Sequence, residues 1–310
     1  MILAQMDRML AQVDRFARWW TRPMESSAIG RIRLWMGLLT LAYFADAMTD
    51  VAFWFGPDAA HSTVAVAEFL QLADLEDVAA VSVSPLFLVD AVWIYQVYLI
   101  VGMALAVALM AGRGGRWVTF SVWLWVVFYA NRLLWLSGLT ETLLSLTLFS
   151  TAFAAPHRNR LRKDASGTAG VPRRASMATG VAIRLTAIQG SLVAAVTCGS
   201  MLAGRVWWNG TGSVAMAAPE SIRTLDLVSW LENPFWHEPI SWFLIVAVPF
   251  GLTLAWRNGT ARFGAAVLVA WALLVAVLGS HWIYGGVLAC SVYSIGVAVG
   301  LGRTPPAFDH

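Results

Sequence analysis

Four ionisable residues sit within or at the ends of otherwise apolar runs: Asp46, Asp90, Arg132 and Glu141. A charge in such a place is costly, and normally pairs with another charge or lines a wet cavity. All four fall toward one side of the alternating runs and turns, so Arg132 can meet any of the three acids. One reading is a polar pocket opening on that side, in which a permanently charged guanidinium stabilises an anion but hardly acts as a base. The other is a structural ion pair, or side chains reaching back to the interface. His61, His237 and His281 face the same side. In Trp236-His237-Glu238 a histidine stands beside an apolar run, where it could serve as a general base. No His-Glu-x-x-His or comparable ligand spacing accompanies it, so no metal or cofactor is expected, and an ordinary interfacial hydrogen bond is the simpler role. The catalytic candidates are therefore Arg132, His237, Asp46, Asp90 and Glu141. Cys198 and Cys290 lie inside apolar runs and read as packing residues rather than a disulfide. The single lysine, Lys163, belongs to a polar loop.

The elements that must position these groups are membrane spans. Of the 310 residues, 59% are hydrophobic and 13% charged, about half the charge of an ordinary soluble domain. Several apolar runs reach the length of about 20 residues that crosses a bilayer core. The fold class expected is all-α, a polytopic transmembrane bundle of about eight spans. The runs are 29–53, 86–110, 117–136, 139–155, 181–203, 240–256, 263–280 and 282–301, and the seventh and eighth are divided only by a tight turn at Ser280-His281. Residues 1–27 contain no span. Ile2, Met6, Met9, Leu10, Val13 and Phe16 recur at helical spacing with arginines on other faces, which predicts an amphipathic helix on the membrane surface. Pro23 separates it from a transmembrane domain at 28–303, and 304–310 form a tail. Residues 56–85 hold five acids and no Lys or Arg, with apolar positions that suggest a second amphipathic helix.

Basic residues mark the orientation. With the N-terminus inside and eight spans, every Lys and Arg except Arg132, Arg205 and Arg223 falls on the inner side. Both termini are then cytoplasmic, and the candidate residues face outward. The longest inner loop, 156–180, carries Arg158, Arg160, Arg162, Lys163, Arg173 and Arg174 around a Gly, Ser and Pro-rich centre. It serves as a topology signal and could touch anionic lipid heads. The basic residues are spread over such loops and form no single patch, which argues against nucleic acid as a partner. The bilayer is the expected one. Arg184, at the start of the fifth run, is expected to snorkel to the cytoplasmic surface. Gln189 is expected to make an interhelical hydrogen bond.

The stretch from Arg184 to Gly212 resembles a segment of the HTTM domain, the bacterial membrane relatives of vitamin K-dependent gamma-carboxylase. Arg184, Leu185, Gln189, Gly199, Trp207 and Gly210 fall on the pattern of that segment. A second match is Asn131-Arg132-Leu133 with Gly138-Leu139. The resemblance implies the multi-pass fold and a bacterial cytoplasmic membrane. It also implies what the chain lacks. The family's catalytic lysine is replaced by Leu202, with Met201 beside it, and the family's histidine after Asn131 is replaced by Arg132. Vitamin K-dependent carboxylation is therefore not expected. The resemblance implies instead a component that matures or exports a secreted peptide, working with a small membrane or secreted partner, as in maturation of the sporulation-delaying toxin. The alternatives are a diverged enzyme acting on a quinone or lipid, and a non-catalytic membrane scaffold.

Overall fold

The computed structural model describes residues 2–24, 26–56, 59, 62, 65–66, 68, 84–89, 91–133, 138–154, 175–217 and 225–300. The expected amphipathic helix within 56–85, the loop 156–174 and the tail 304–310 lie outside the described residues, apart from a few positions of the first. The molecule is an all-α polytopic bundle. Helix α1 (Ile2–Thr21) precedes α2 (Ser26–Thr49) and the short α3 (Val51–Phe55). A 3-10 turn (Pro85–Leu88) leads to α4 (Val92–Met110), α5 (Gly115–Arg132) and α6 (Leu139–Ala152). Then come α7 (Met177–Ala203), the short α8 (Arg205–Trp208), α9 (Gly212–Ala217) and α10 (Val228–Leu231), and the long α11 (Pro234–Ala255), α12 (Ala261–Leu278) and α13 (Trp282–Gly300).

Among the described residues, six helices are long and apolar enough to cross a membrane: those carrying 27–49, 92–110, 177–203, 234–255, 261–278 and 282–300. The other two expected spans, α5 with 18 residues and α6 with 14, pack inside the same bundle. Several boundaries move for local reasons. Pro85 starts its own turn, capped by the Ser84 hydroxyl, and Val89 and the Ala91 N-cap are extended, so the second span begins at Val92 rather than Leu86. Pro234 occupies the first turn of α11, where its missing N–H is not needed, and Asn233 caps Phe235. The sixth span therefore begins six residues before Ile240.

The bundle is apolar inside and apolar outside. Trp35, Val97, Ile100, Val107, Leu192 and Val196 are exposed on its flanks. A soluble protein rarely leaves so much apolar surface uncovered. In a bilayer these faces meet lipid. Without a hydrophobic force between helices, close approach and interhelical hydrogen bonds hold the spans together. A Cβ on Gly264 would lie 2.2 Å from the backbone nitrogen of Ala255, so α11 and α12 touch backbone to backbone. Thr147 and Ser291 hydroxyls meet at 3.3 Å between α6 and α13. In α11, Pro249 supplies no N–H for the carbonyl of Ile245. That oxygen accepts instead from the Cys198 thiol of α7 at 3.6 Å, and the neighbouring Leu244 carbonyl accepts from the Trp271 indole at 3.0 Å.

Strand-free connectivity sorts the charges. The starts of α2, α5, α7 and α12 and the ends of α4, α6, α11 and α13 share one end of the bundle, with Arg31, Arg33, Arg113, Arg116, Arg257 and Arg262. The opposite end carries Asp46, Asp50, Glu141, Asp226, Glu232 and Glu238, with Arg132 and Arg205. Helix α1 lies at the basic end and leaves Met6, Met9, Leu10, Val13 and Phe16 exposed along one face. Its junction to α2 is pinned to the start of α7 by a two-way backbone bridge, Met24 N–H to Ser176 O at 3.2 Å and Ser176 N–H to Met24 O at 3.0 Å.

Candidate functional site

Arg132 ends α5 and is fully buried. Its Nε–H donates to the Tyr95 hydroxyl at 2.9 Å. That hydroxyl in turn lies 2.8 Å from the carbonyls of both Leu86 and Val89, and shares its proton between them. The guanidinium sits 5.0 Å from the Phe87 ring centre, 5.6 Å from Phe55 and 5.9 Å from Tyr95. Phe55 and Tyr95 stack at 4.3 Å, tilted by 8°. A desolvated cation over an aromatic face is worth about 2 kcal/mol, so three rings favour keeping this charge inside. Arg132 thus ties α3, the Pro85 turn and α4 to α5. Its guanidinium is a fixed positive charge, suited to holding an anion rather than to moving a proton.

Of the three acids expected to face Arg132, two fall among the described residues. Neither Asp46 nor Glu141 pairs with Arg132 among the described residues, and Asp90 lies outside them. Glu141 is half-buried, and its Oε2 accepts from the Gly138 N–H at 2.8 Å at the start of α6, where the helix dipole favours a carboxylate. Asp46 is exposed near the end of α2. Both acids come within electrostatic reach of the Tyr129 hydroxyl, and Glu141 also reaches that of Tyr43. The Tyr129 ring meets Tyr43 at 5.8 Å, Phe44 at 6.1 Å and Phe55 at 5.8 Å, all edge-on, and lies over Tyr98 at 6.5 Å. Tyr98 stacks on Trp125 at 4.7 Å, and each of the two donates to the other's backbone carbonyl. The acidic end of the bundle therefore holds a tyrosine cluster with two carboxylates on its rim and one arginine beside it.

His237 stands apart from this cluster. Half-buried at the start of α11, it places Nδ1 2.8 Å from the Leu231 carbonyl, which makes Nδ1 the protonated nitrogen. Its own carbonyl accepts from the Ser213 hydroxyl at 3.0 Å. His281 is exposed and His61 lies outside the described residues. Among the described residues no three His, Cys, Asp or Glu side chains gather as a metal site would require.

The positions on the family pattern scatter along α7 and beyond it. Arg184 reaches back past Gly180 toward the start of α7, as expected, but ends on α1 rather than in water. It is 1% exposed, its Nη1 donates to the carbonyls of Trp20 at 3.0 Å and Arg22 at 2.9 Å, and its guanidinium lies 5.1 Å from the Trp19 ring. The carbonyls at the end of α1 lack helical partners, and a cation is the natural cap for them. They therefore take the place of water around the Arg184 guanidinium. Gln189 joins the Ser150 hydroxyl of α6, donating through Nε2 at 3.1 Å. Gly199 faces open space, with nothing within 4 Å of where a Cβ would be. Leu202, at the place of the family lysine, is 40% exposed on the flank, while Met201 is buried. Trp207 folds over the following turn, so closely that a Cβ on Gly212 would lie 2.2 Å from its ring, and Gly210 holds φ +75. Asn131 is half-buried beside Arg132. None of these positions except Asn131 adjoins the tyrosine cluster.

Sequence reasoning missed Tyr43, Tyr95, Tyr98 and Tyr129, the polar members of that cluster. A signal existed: Tyr95 and Tyr98 stand three apart on one face of an apolar span, each with an apolar body and a polar tip. It also missed Arg33, 4% exposed, whose Nη2 donates to the carbonyls of Thr151 at 2.9 Å and Ala154 at 3.0 Å and so caps α6.

Fold and site together define a polytopic helical membrane protein with an acidic, aromatic end and a basic one. No protein-family model, no curated protein and no solved structure matches the chain.

Proposed function

We propose that this chain is a cytoplasmic-membrane component of the HTTM type that handles a secreted peptide at its acidic end, with a small partner protein, during maturation or export. One observation carries the reading. Exposed carboxylates, Asp46, Asp50, Glu232 and Glu238, share that end with exposed Trp230, Phe235 and Trp236. Acids beside aromatic faces suit a basic amphipathic peptide, whose cations meet the carboxylates and whose apolar side chains meet the rings. The arginine-rich end then faces the cytoplasm, as the positive-inside rule favours, and both termini with it. The family-pattern residues of α7 support the HTTM assignment, while Leu202 and Arg132 at the positions of its lysine and histidine argue for handling rather than carboxylation.

The test is binding in nanodiscs, followed by tryptophan fluorescence, of a basic amphipathic peptide and of the same peptide with Lys replaced by Glu. The basic peptide should bind more tightly, and charge-neutral variants at Glu232 and Glu238 should weaken it and flatten its salt dependence. Equal affinity for both peptides would refute the reading. If a neighbouring gene encodes a small secreted precursor, deleting the present gene should block its maturation.

A second reading is favoured by the enclosure of Arg132. A guanidinium and a phenol between Phe55, Phe87 and Tyr95 form a setting that could flank a quinone ring and its oxygen. A diverged quinone enzyme would retain a quinone through gentle purification, detectable by mass spectrometry, and Arg132→Met would lose it. Neither peptide nor quinone binding would leave a membrane scaffold.

A further inference from the structure

We propose that the cleft between the basic ends of α2, α4 and α5 holds the phosphate of an anionic phospholipid. The cleft opens to solvent and is lined by Gly30, Arg33, Leu109, Met110, Gly112, Arg113 and Gly115. Two arginines are among its lining residues, and no acid is. Like charges sharing a concavity favour an anion between them. Arg33 is held in place by the Thr151 and Ala154 carbonyls, so its charge is fixed, while Arg113 is exposed at the mouth. The cleft is narrow inside, with about 20 Å³ for water-sized groups, room for about one. That is the size of a single phosphate oxygen, with the rest of the headgroup at the mouth. Its floor is closed by helix contact, since a Cβ on Gly37 would lie 2.6 Å from Met110 Cγ and 2.9 Å from the Ala106 carbonyl.

Two features select a lipid over a soluble phosphate. Leu109 and Met110 supply an apolar wall beside the charges, where glycerol and the first acyl carbons would lie. Trp117, 68% exposed with Arg116 stacked on it at 5.2 Å, marks the membrane–water interface one turn along α5. Basic pockets between spans at such a level are the usual seats of acidic headgroups.

The experiment is native mass spectrometry of the full-length protein, delipidated and then titrated with phosphatidylglycerol or phosphatidylcholine. Wild type should retain phosphatidylglycerol preferentially. Arg113→Gln should retain it about fivefold less well, the effect of one interfacial charge, with unchanged lipid-free thermal unfolding because Arg113 is exposed. Arg116→Gln, outside the lining, should behave as wild type. Equal retention by wild type and Arg113→Gln would overturn the proposal. So would inorganic phosphate displacing the lipid at equal concentration, which would make the site one for a soluble anion.

Discussion

Replacing Arg184 with methionine should release α1 from the bundle while leaving the spans folded. Methionine keeps most of the apolar stem and removes the charge. It deletes two hydrogen bonds from a charged donor, to the Trp20 and Arg22 carbonyls, each worth about 1.5–3 kcal/mol. It also deletes the cation over Trp19, about 1–2 kcal/mol when desolvated. Part of this is regained by water reaching the freed carbonyls, and the Met24–Ser176 bridge and the Trp19–Trp256 contact at 6.0 Å remain. A net loss of about 3 kcal/mol, concentrated at the junction, is expected. It corresponds to an opening roughly 100-fold more frequent. Hydrogen exchange by mass spectrometry should show faster exchange over residues 17–24, with α12 and α13 unchanged. Gly180→Ala reaches the same junction by another route, because its Cβ would lie 2.4 Å from the Arg22 carbonyl. Unchanged protection at 17–24 in Arg184→Met, with loss of protection in Gly180→Ala, would show that backbone packing and not Arg184 holds the helix.

Tyr95→Phe removes the acceptor of Arg132 Nε and the donor to Leu86 and Val89, and should lower stability in detergent by about 1–3 kcal/mol. A change below about 0.5 kcal/mol would mean that the Tyr95 hydroxyl is not what holds Arg132. Two glycines should behave oppositely in thermal unfolding: Gly264→Ala forces α11 and α12 apart and should cost about 1–3 kcal/mol or more. Gly199→Ala meets nothing and should gain about 0.5–1 kcal/mol of helix propensity, so any loss of peptide handling in it would be a functional effect. Trp271→Phe removes the indole hydrogen bond to the Leu244 carbonyl, which keeps its helical place beside the Pro249 break, and should cost about 0.5–1.5 kcal/mol, read in the same assay. Purified protein given vitamin K hydroquinone, oxygen and a Glu-containing peptide should form no carboxylated product; product would show that another group does the work of the missing lysine.

Spans were legible because a bilayer imposes a length and a polarity on every crossing. Residues 92–110 and 261–278 stand out in the sequence for that reason, and so does the amphipathic pattern of α1. Helix ends were less legible, since Pro85 and Pro234 act through capping geometry rather than hydropathy. The partners of the buried arginines were not legible. Arg33, Arg132 and Arg184 each sit near a span end, where snorkelling is the default expectation. What each guanidinium meets instead of water depends on which carbonyls or aromatic rings arrive from elsewhere in the chain: Trp20 and Arg22 for Arg184, Thr151 and Ala154 for Arg33, Phe55 and Phe87 for Arg132. Charge alone does not choose among Asp46, Asp90 and Glu141 as neighbours of Arg132, and the Gly138 N–H that engages Glu141 is a capping interaction that hydropathy does not show.

Helix α6 carries a consequence for the lipid around it. Its 14 residues rise about 21 Å, against about 30 Å of hydrocarbon. Leu139, Leu146, Phe149 and Phe153 are exposed along its outer face, so acyl chains must meet it there. Arg33 comes to its end from seven residues inside α2, roughly 10 Å along that helix. The stub falls about 9 Å short of the hydrocarbon thickness. The bilayer should pinch at this flank, and lipids with short or disordered chains should collect in the dimple. A protein that thins its own membrane on one side also biases which neighbours come to rest there.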